Sequence, residues 1–353
     1  MTVLKLGSLF DGIGVFPLAA VHCGVEPVWA SEIEARPISI TKRHFPDMLH
    51  LGDITKISGA EIPPVDVITF GSPCQDLSQI GTRNGFAGKK SSLFYQAMRI
   101  IEEMRYATNG RYPAFTVWEN VAGAFSSNDR LDFAAMLRAF TGAEVSVPPR
   151  GWAHAGMVRG GCADTAWRLL DAQYWGEPAL VQRRKRVFVV ADFAGQRAGE
   201  VLFKPRTVLP FSTISGPGGL SATQRGGVPV AQTGRQVPIV RPFSLRRMRT
   251  MAQVGDQKGF CASFGRGGEP FPTLLASVTA PFSFWYEGEE RDGFLRVLTP
   301  LECERLMGLP ENWTKYGCKN EEISDHARYR ALGNSIALPC AEYVMAGIAE
   351  VMN

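Results

Sequence analysis

The sequence predicts an α/β fold: a Rossmann-like, mostly parallel sheet with helices on both faces, plus a smaller, irregular, β-rich domain. Three observations lead to this prediction. Short apolar runs alternate with helix-like stretches over the first 190 residues, a repetition typical of parallel sheets. Residues 65–70 form an apolar run of the kind found in strands buried on both faces. After residue 193, Gly, Ser and Pro become frequent and the helical pattern fades.

The individual elements follow from these patterns. The predicted strands are 3–9, 28–31, 65–70, 114–119 and 187–191. The predicted helices run from the first glycine turn to about residue 23, then over 35–45, 93–104, 299–306 and 338–352. If the last helix packs back on the first domain, that domain is discontinuous. The boundaries are then 1–193 with 328–353 for this domain, 194–292 for the inserted domain and 293–327 for a connecting segment.

Bulk composition excludes several classes of protein. Hydrophobic residues make up 45% and charged residues 20% of the 353 residues, which is ordinary for a globular enzyme and unlike a disordered chain. We expect neither a secretory signal nor a membrane span, because no apolar run is long enough. The seven cysteines are scattered and never spaced as CxxC, so we expect a reducing, cytoplasmic setting and no metal site.

The charge is unevenly distributed along the chain. Residues 194–250 contain nine basic side chains and one acidic one. A local excess of this kind favours a polyanionic partner, although a solvated basic face would give the same count. The net charge of the whole chain is only +4.

Two motifs follow predicted strands near the start of the chain. Phe10, Gly12 and Gly14 form a glycine turn between a strand and a helix, and Glu32 ends the next strand. Such a turn admits a ligand close to the backbone, and the acid can bond the ribose of an adenosine-containing cofactor. A purely structural tight turn explains the glycines equally well. Cys74 follows the apolar strand at 65–70, where a nucleophile would face the ligand crevice, although a lone cysteine is more often a buried structural residue.

Two further motifs carry acid and base chemistry. Glu119 and Asn120 end another strand, and a carboxyl group in apolar surroundings can donate a proton. The basic run 182–186 leads into the strand at 187–191, and alternation places Arg184 and Arg186 on one face. A solvated strand start is the alternative interpretation of this run.

The ordered set of motifs resembles the cytosine-C5 DNA methyltransferase family, most closely its compact bacterial and prophage type. The resemblance rests on Phe10-Asp-Gly-Ile-Gly14, Glu32, Gly52-Asp-Ile54, Gly71-Ser-Pro-Cys-Gln75, Glu119-Asn-Val121, Gln182-Arg-Arg-Lys-Arg186, Arg296-Val-Leu-Thr-Pro300 with Glu302, Arg305 and Gly308, and Gly333-Asn-Ser335. Two departures stand out. Three residues separate Gly176-Glu-Pro178 from Gln182, and Ile33 stands where a flat partner for adenine is common.

The resemblance implies a function and a partner for each domain. The first domain would bind S-adenosyl-L-methionine and move its methyl group to carbon 5 of a cytosine flipped out of double-stranded DNA. The inserted domain would recognise the DNA target. A monomer would act on DNA, with a restriction endonuclease as a companion.

The resemblance also implies a role for individual residues. The catalytic set is Cys74 as nucleophile on carbon 6, Glu119 on the base N3 and amine, and Arg184 and Arg186 orienting Glu119 and touching the base. The cofactor set is Phe10, Gly12, Gly14, Glu32, Ile33, Asp53, Ile54, Pro73, Asn334 and Ser335. The DNA-binding set is Gln75, Ser78, Arg83, Asn120, Arg241, Arg246, Arg247, Arg249 and Thr273.

Three other functions share part of this pattern. A Rossmann oxidoreductase would have the glycine turn and Glu32 but would need neither Cys74 nor Glu119. An RNA cytosine-C5 methyltransferase would share the catalytic residues, and the long basic insert argues for DNA instead. A non-catalytic relative would not be expected to retain Cys74 and Glu119.

Overall fold

The structure, a computed structural model, describes residues 3–72, 93–204, 239–242, 271, 273–274, 282–286 and 294–353. Within them, the strands and helices alternate as the α/β prediction requires. The strands are β1 (Lys5–Leu9), β2 (Glu26–Ser31), β3 (Leu49–His50), β4 (Val67–Phe70), β5 (Phe115–Val121), β6 (Ala155–Arg159), β7 (Asp164–Asp171), β8 (Lys185–Asp192), β9 (Ile239–Pro242), β10 (Phe282–Tyr286) and β11 (Phe294–Val297). The helices are α1 (Val15–His22), α2 (Ala35–His44), α3 (Leu93–Ala107), α4 (Leu131–Thr141), α5 (Ala198–Leu202), α6 (Pro300–Leu306), α7 (Asp325–Asn334) and α8 (Leu338–Met352).

Eight of these strands form one mixed sheet in the order β3-β2-β1-β4-β5-β8-β7-β6. The first five strands in this order are parallel to one another. The pairs β5–β8, β8–β7 and β7–β6 are antiparallel. The predicted α/β class is confirmed, and the parallel part is the half that carries the glycine turn. The antiparallel hairpin of β6 and β7 was not predicted, because its alternating polar and apolar residues lie between two loops without a helical signal.

Helices cover both faces of the sheet, as predicted. One face packs buried residues of α1, α5, α6 and α8 into a single apolar cluster. The other face packs α3 and α4 into a second cluster. Because β4 is buried along its whole length between these clusters, its apolar run needs no polar alternation.

The last helix returns to the first part of the chain. His22 Nδ1, at the end of α1, lies 2.6 Å from Glu342 Oε1 in α8, and the thiol of Cys23 faces the carbonyl of Glu342. Helix α5 also joins this layer, since Ala198, Val201 and Leu202 are fully buried in the same cluster. It lies inside the range 194–292 that the sequence assigns to the inserted domain, so the described contacts attach residues 198–202 to the main sheet. The domain boundaries themselves stay a prediction.

The segment that was predicted to connect the domains contains a buried ion pair. Glu304 in α6 is fully buried and accepts hydrogen bonds from the backbone N–H groups of Asn312 (2.8 Å) and Thr314 (2.9 Å). Arg328 in α7 donates to Glu304 Oε1 at 3.0 Å and to Thr314 Oγ1 at 3.0 Å. This network joins α6 to α7 and therefore fixes where the Gly333–Ser335 turn begins.

Among the described helices, none is by itself long and apolar enough to cross a membrane, and α7 and α8 meet the criterion only as a pair bent by 43°.

Replacing Glu304 tests how much the Glu304–Arg328 pair stabilises the fold. Glu304→Gln should lower the free energy of unfolding by about 3–5 kcal/mol, because it removes the buried anion of Arg328 and leaves only the longer contact with the exposed Asp325 at 3.5 Å. Urea unfolding followed by tryptophan fluorescence measures this change. The control is Glu311→Gln, which removes the partner of Arg305 in a half-exposed ion pair and should cost less than about 1 kcal/mol. Equal effects of the two substitutions would contradict the prediction.

Candidate active site

The ends of β4 and β5 meet at one edge of the sheet and are tied together there. Trp118 Nε1 donates to Ser72 Oγ at 3.0 Å, and Asn120 Nδ2 donates to Ser72 O at 3.0 Å. Asn120 Oδ1 in turn accepts from the N–H of Val121 at 2.8 Å. The Asn120 side chain therefore bonds the backbone at two places, at Ser72 in the Gly71–Gln75 motif and at Val121.

Glu119 lies beside this loop with its carboxylate next to an arginine. Arg186 Nε is 3.0 Å from Glu119 Oε1, a contact between opposite charges that is not aligned as a hydrogen bond. The second oxygen, Oε2, faces Gly71, where an added Cβ would come within 3.1 Å of it. Position 71 therefore favours glycine because any side chain would crowd the Glu119 carboxylate.

Burial changes the pKa of the Glu119 carboxyl group. The residue is only 9% exposed, and burial raises the pKa of its carboxyl group while the charges of Arg186 and Arg184 partly offset this. A raised pKa favours a carboxyl group that can donate a proton. The arrangement is suited to holding a protonated acid beside a permanent cation.

A single cavity of about 530 Å³ joins this acid to the glycine turn. Its volume lies in the range of small-molecule and cofactor sites. The sequence-predicted site residues among those that line it are Phe10, Gly12, Glu32, Glu119, Asn120, Arg186, Asn334 and Ser335. Residues predicted for the cofactor and residues predicted for the base therefore share one cavity.

The glycine turn leaves open space on its cavity side. Gly12 has φ 59°, and a Cβ added there would meet nothing within 4 Å. Its N–H donates to Glu32 Oε2 at 2.9 Å, while Glu32 Oε1 accepts from the N–H groups of Ile33 and Glu34 at 2.7 and 3.0 Å. Glu32 is thus fixed at the turn by three backbone donors. Gly14, with φ 78°, begins α1, and an added Cβ would come within 3.1 Å of Phe45, so its role is packing.

Residues from the C-terminal part of the chain contact the glycine turn and the residues near it. Trp313 Nε1 donates to Ile13 O at 2.8 Å. The Trp313 ring stacks on His44 of α2 with centroids 3.6 Å apart, and a ring nitrogen of His44 lies 2.8 Å from Trp313 O. At the rim, Arg330 of α7 pairs with Glu34 at 2.7 Å. These residues were not predicted, because their sequence neighbours carry no motif and only the fold brings them to the turn.

Asp11 is a further residue at the cavity that was not among the predicted site residues. Neither carboxylate oxygen has a hydrogen-bond partner among the described residues, although the residue lies in the cavity lining. Burial raises the pKa of Asp11 to about 7, with Glu32 adding to the shift and the nearby hydroxyl groups of Ser8 and Thr41 partly offsetting it. Asp11 therefore carries a proton over much of the range in which an exposed aspartate is ionised.

A family model for C-5 cytosine-specific DNA methylases matches residues 4–205 and 245–350, which together make up most of the chain. The chain belongs to this family. The predicted resemblance is confirmed, and the protein is a DNA cytosine-5 methyltransferase by family. The interval that the family model leaves unmatched, 206–244, lies inside the predicted inserted domain.

Two relatives and one solved structure show how far the similarity extends. The chain is 24% identical to the DNA N-6-adenine-methyltransferase of Escherichia phage P1 over 98% of its own length, and spans 61% of that protein. It is 27% identical to the Type II methyltransferase M1.ScrFI of Lactococcus lactis over 99% of its length and 78% of the relative. The crystal structure of S. pombe Dnmt2 methyltransferase superimposes with a TM-score of 0.61 at 17% identity, with 99% of each chain covered, which confirms the fold.

Several predicted cofactor residues of this DNA methylase lie outside the lining of the cavity. The carboxylate of Asp53 accepts from the N–H (2.9 Å) and the hydroxyl (2.8 Å) of Thr55, and these bonds lower its pKa. It caps the short turn Ile54–Lys56. The side chain of Ile54 is buried in the core, and that of Ile33 is 72% exposed. The predicted roles of these three residues at the cofactor stay predictions.

Arg184 is also placed differently from its predicted role. Its side chain is 1% exposed, and its hydrogen bonds go to backbone carbonyl groups of Leu274, Gly333 and Ser335. Of the two arginines predicted to orient Glu119, the structure brings Arg186 into contact with the carboxylate. The adjacent Thr273, predicted to bind DNA, donates its hydroxyl to Arg183 O at 2.6 Å.

The remaining predicted site residues lie outside the described residues. They are Pro73, Cys74, Gln75, Ser78, Arg83, Arg246, Arg247 and Arg249. Arg241 lies on β9, whose backbone pairs with β10. Their roles stay predictions.

The protonation of Asp11 predicts a pH dependence of stability. Between pH 4 and 7 the folded protein keeps a proton that the unfolded chain has lost, so this contribution to stability is full below pH 4 and is lost as the pH rises through 7. Asp11→Asn has no such proton to lose. Relative to its effect at pH 4.5, this substitution should raise the free energy of unfolding at pH 8 by up to about 3 kcal/mol.

Denaturant unfolding of both proteins across this range measures the difference. The control is Asp47→Asn, which removes an exposed carboxyl group that is not in the cavity lining. Parallel curves for the wild type and Asp11→Asn would show that Asp11 titrates as an exposed acid.

Proposed function

We propose that the protein transfers a methyl group from S-adenosyl-L-methionine to carbon 5 of a cytosine flipped out of duplex DNA, through a covalent bond between Cys74 and carbon 6. The observation that carries the proposal is the buried Glu119–Arg186 pair, which lines the same cavity as the glycine turn and Glu32. An acid for the base and a cradle for an adenosyl cofactor are thereby within one site.

The residues of the cavity fit the cofactor. The open side of Gly12 lets a ligand approach the backbone, and the carboxylate of Glu32, held by three N–H groups, can accept from ribose hydroxyls. Asn334 and Ser335 line the same cavity and would close around the amino-acid end. When bound, S-adenosyl-L-methionine supplies an electrophilic sulfonium methyl group.

The protein residues make carbon 5 of cytosine nucleophilic. Protonated Glu119 donates to N3 of the base, which draws electron density from carbon 6, and Arg186 holds the carboxyl group in place. The Cys74 thiolate adds to carbon 6, forming the S–C6 bond and moving the electron pair of the C5–C6 double bond towards carbon 5. Carbon 5 would bond to the methyl carbon as the S–CH3 bond breaks, and the sulfur would keep that electron pair, leaving neutral S-adenosyl-L-homocysteine. A base then removes the carbon 5 proton, the double bond re-forms and the thiolate leaves.

The described cysteines give no competing nucleophile in the cavity. Of Cys23, Cys162, Cys303, Cys318 and Cys340, none is in its lining. Burial raises the pKa of Cys23 to about 11 and that of Cys340 to about 12. Such thiols hold little thiolate at neutral pH. Cys74 follows Gly71 by three residues, and Gly71 adjoins Glu119.

The proposed substrate explains the basic insert. Carbon 6 of a stacked base is inaccessible, so the cytosine must leave the duplex at a cost of a few kcal/mol. Cationic side chains of 194–250 would supply affinity through phosphate contacts. We propose that a monomer acts on double-stranded DNA. The name Type II of the Lactococcus relative supports a companion restriction endonuclease.

Covalent trapping tests the nucleophile. Duplex DNA containing 5-fluorocytosine at the target should form a stable adduct with the wild type in the presence of cofactor, since the fluorine at carbon 5 cannot leave as a proton. Cys74→Ser should abolish the adduct, and Cys162→Ser, which changes an exposed cysteine away from the cavity, should not. Denaturing electrophoresis detects the adduct, and an adduct that survives in Cys74→Ser would assign the nucleophile elsewhere.

Mass spectrometry of nucleosides identifies the product in a parallel reaction with duplex DNA that contains ordinary cytosine at the target. Only 5-methylcytosine agrees with the proposal. N6-methyladenine as the product, or faster methylation of an RNA of the same sequence, would overturn it.

Replacing Glu119 separates catalysis from cofactor binding. Glu119→Gln should slow single-turnover methylation by roughly 100- to 10,000-fold, because the amide cannot transfer a proton to the base. The affinity for S-adenosylhomocysteine, measured by calorimetry, should stay nearly unchanged. Glu61→Gln, at an exposed carboxyl group, is the matched control. A large loss of cofactor affinity in Glu119→Gln would place the carboxylate at the cofactor instead of at the base.

A further inference from the structure

Arg184 is a buried cation whose contacts are all with backbone carbonyl groups. Nη1 donates to Leu274 O at 2.8 Å, and Nη2 donates to Gly333 O at 2.8 Å and to Ser335 O. These acceptors lie 90, 149 and 151 residues away in sequence. The backbone of Arg184 is also fixed, since its N–H donates to Asp171 Oδ1 at 3.0 Å and its carbonyl accepts from Ala172 at 3.0 Å.

A buried guanidinium group loses the free energy of hydration that it has in water. Burying a charge costs several kcal/mol unless its donors are satisfied, and Nε of Arg184 has no hydrogen-bond partner among the described residues. Burial and the neighbouring Arg186 lower the pKa of Arg184 to about 9. The planar fork is what lets one side chain hold three carbonyl groups in fixed directions.

The carbonyl groups belong to two segments with different predicted functions. Gly333 and Ser335 flank Asn334, and Asn334 and Ser335 line the cavity. Leu274 belongs to the inserted region. That region is anchored there by backbone bonds, from Arg183 N–H to Phe271 O at 2.7 Å and from Phe271 N–H to Val181 O at 2.6 Å.

We propose that Arg184 is a positioning residue that couples cofactor binding to DNA binding. It holds the cofactor-side turn 333–335 and the insert anchor 271–274 in one arrangement, so that ordering either segment favours the ordered state of the other. This inference rests on the proposed function of the cavity and the insert. It gives Arg184 a role toward two backbone segments in addition to its electrostatic effect on Glu119.

The coupling is measured as a ratio of dissociation constants. Binding of target duplex DNA is followed by fluorescence anisotropy with and without saturating S-adenosylhomocysteine. The wild type should bind DNA more tightly with the cofactor product present, by a factor on the order of 5 to 150. By linkage, DNA should tighten cofactor binding by the same factor.

Arg184→Lys should bring this ratio close to 1, because a lysine ammonium is a single point and cannot span carbonyl groups of two segments. The affinity for DNA without S-adenosylhomocysteine, and the affinity for S-adenosylhomocysteine without DNA, should each change by a smaller factor than the ratio does. The matched control is Arg168→Lys. Arg168 also bridges two segments by hydrogen bonds from Nη1, to Leu202 O at 2.8 Å and to the Tyr343 hydroxyl at 2.9 Å, but touches neither the turn nor the anchor.

A merely structural Arg184 would give a different result. In that case Arg184→Lys and Arg168→Lys would both lower the unfolding temperature and leave the ratio intact. An unchanged ratio in folded Arg184→Lys overturns the inference. If the wild type methylates DNA but shows a ratio of 1, the inference also fails while the proposed function stands. If the wild type binds neither ligand, the proposed function itself has failed.

If Arg184→Lys does not fold, hydrogen exchange of the wild type tests the inference without a variant. S-adenosylhomocysteine alone should slow exchange of the amides of Phe271 and Arg183, which carry the hydrogen bonds between anchor and sheet. Slowing by about fivefold or more, the lower end of typical coupling, supports the inference. Unchanged exchange at these amides, with protection at the glycine turn as the positive control for binding, overturns it.

Discussion

The Glu119 carboxylate lies buried beside the Arg186 guanidinium, and the active site depends on the strand pairing that puts them there. Glu119 is near the end of β5 and Arg186 is near the start of β8. Because β5 and β8 run antiparallel, with Val121 opposite Arg186, the end of one strand and the start of the other share an edge of the sheet. A parallel β8 would have placed Arg186 at the opposite edge, away from Gly71 and the cavity.

The cavity is completed by the other end of the chain. Trp313 holds the glycine turn through Ile13 O, and Arg184 holds the Gly333–Ser335 turn. Behind both, the buried Glu304–Arg328 pair joins α6 to α7. Glu304, Trp313 and Arg328 are not in the cavity lining, so a change in one of them is expected to act on the cavity through the backbone that it supports.

The sequence predicted the elements and the cavity residues whose signal is local. Five strands of the main sheet were predicted to within two residues at each end. The glycine turn and Glu32 were predicted too, because buried strands and tight turns impose their own composition. Predictions failed or stayed incomplete where a side chain serves a distant segment. Arg184 shares a motif with Arg186, yet bonds carbonyl groups 90 or more residues away.

By itself, the sequence determined the α/β class and the family, and it predicted a set of reacting groups, since periodicity, glycine spacing and residue type can be read along the chain. The tertiary structure alone decided the antiparallel direction of β8, the upward pKa shifts of Glu119 and Asp11, and the carbonyl partners of Arg184. Direction depends on sheet pairing, and a pKa depends on burial and on charges brought near by folding. Neither the direction of a strand nor a pKa is set by the residues that are adjacent in sequence.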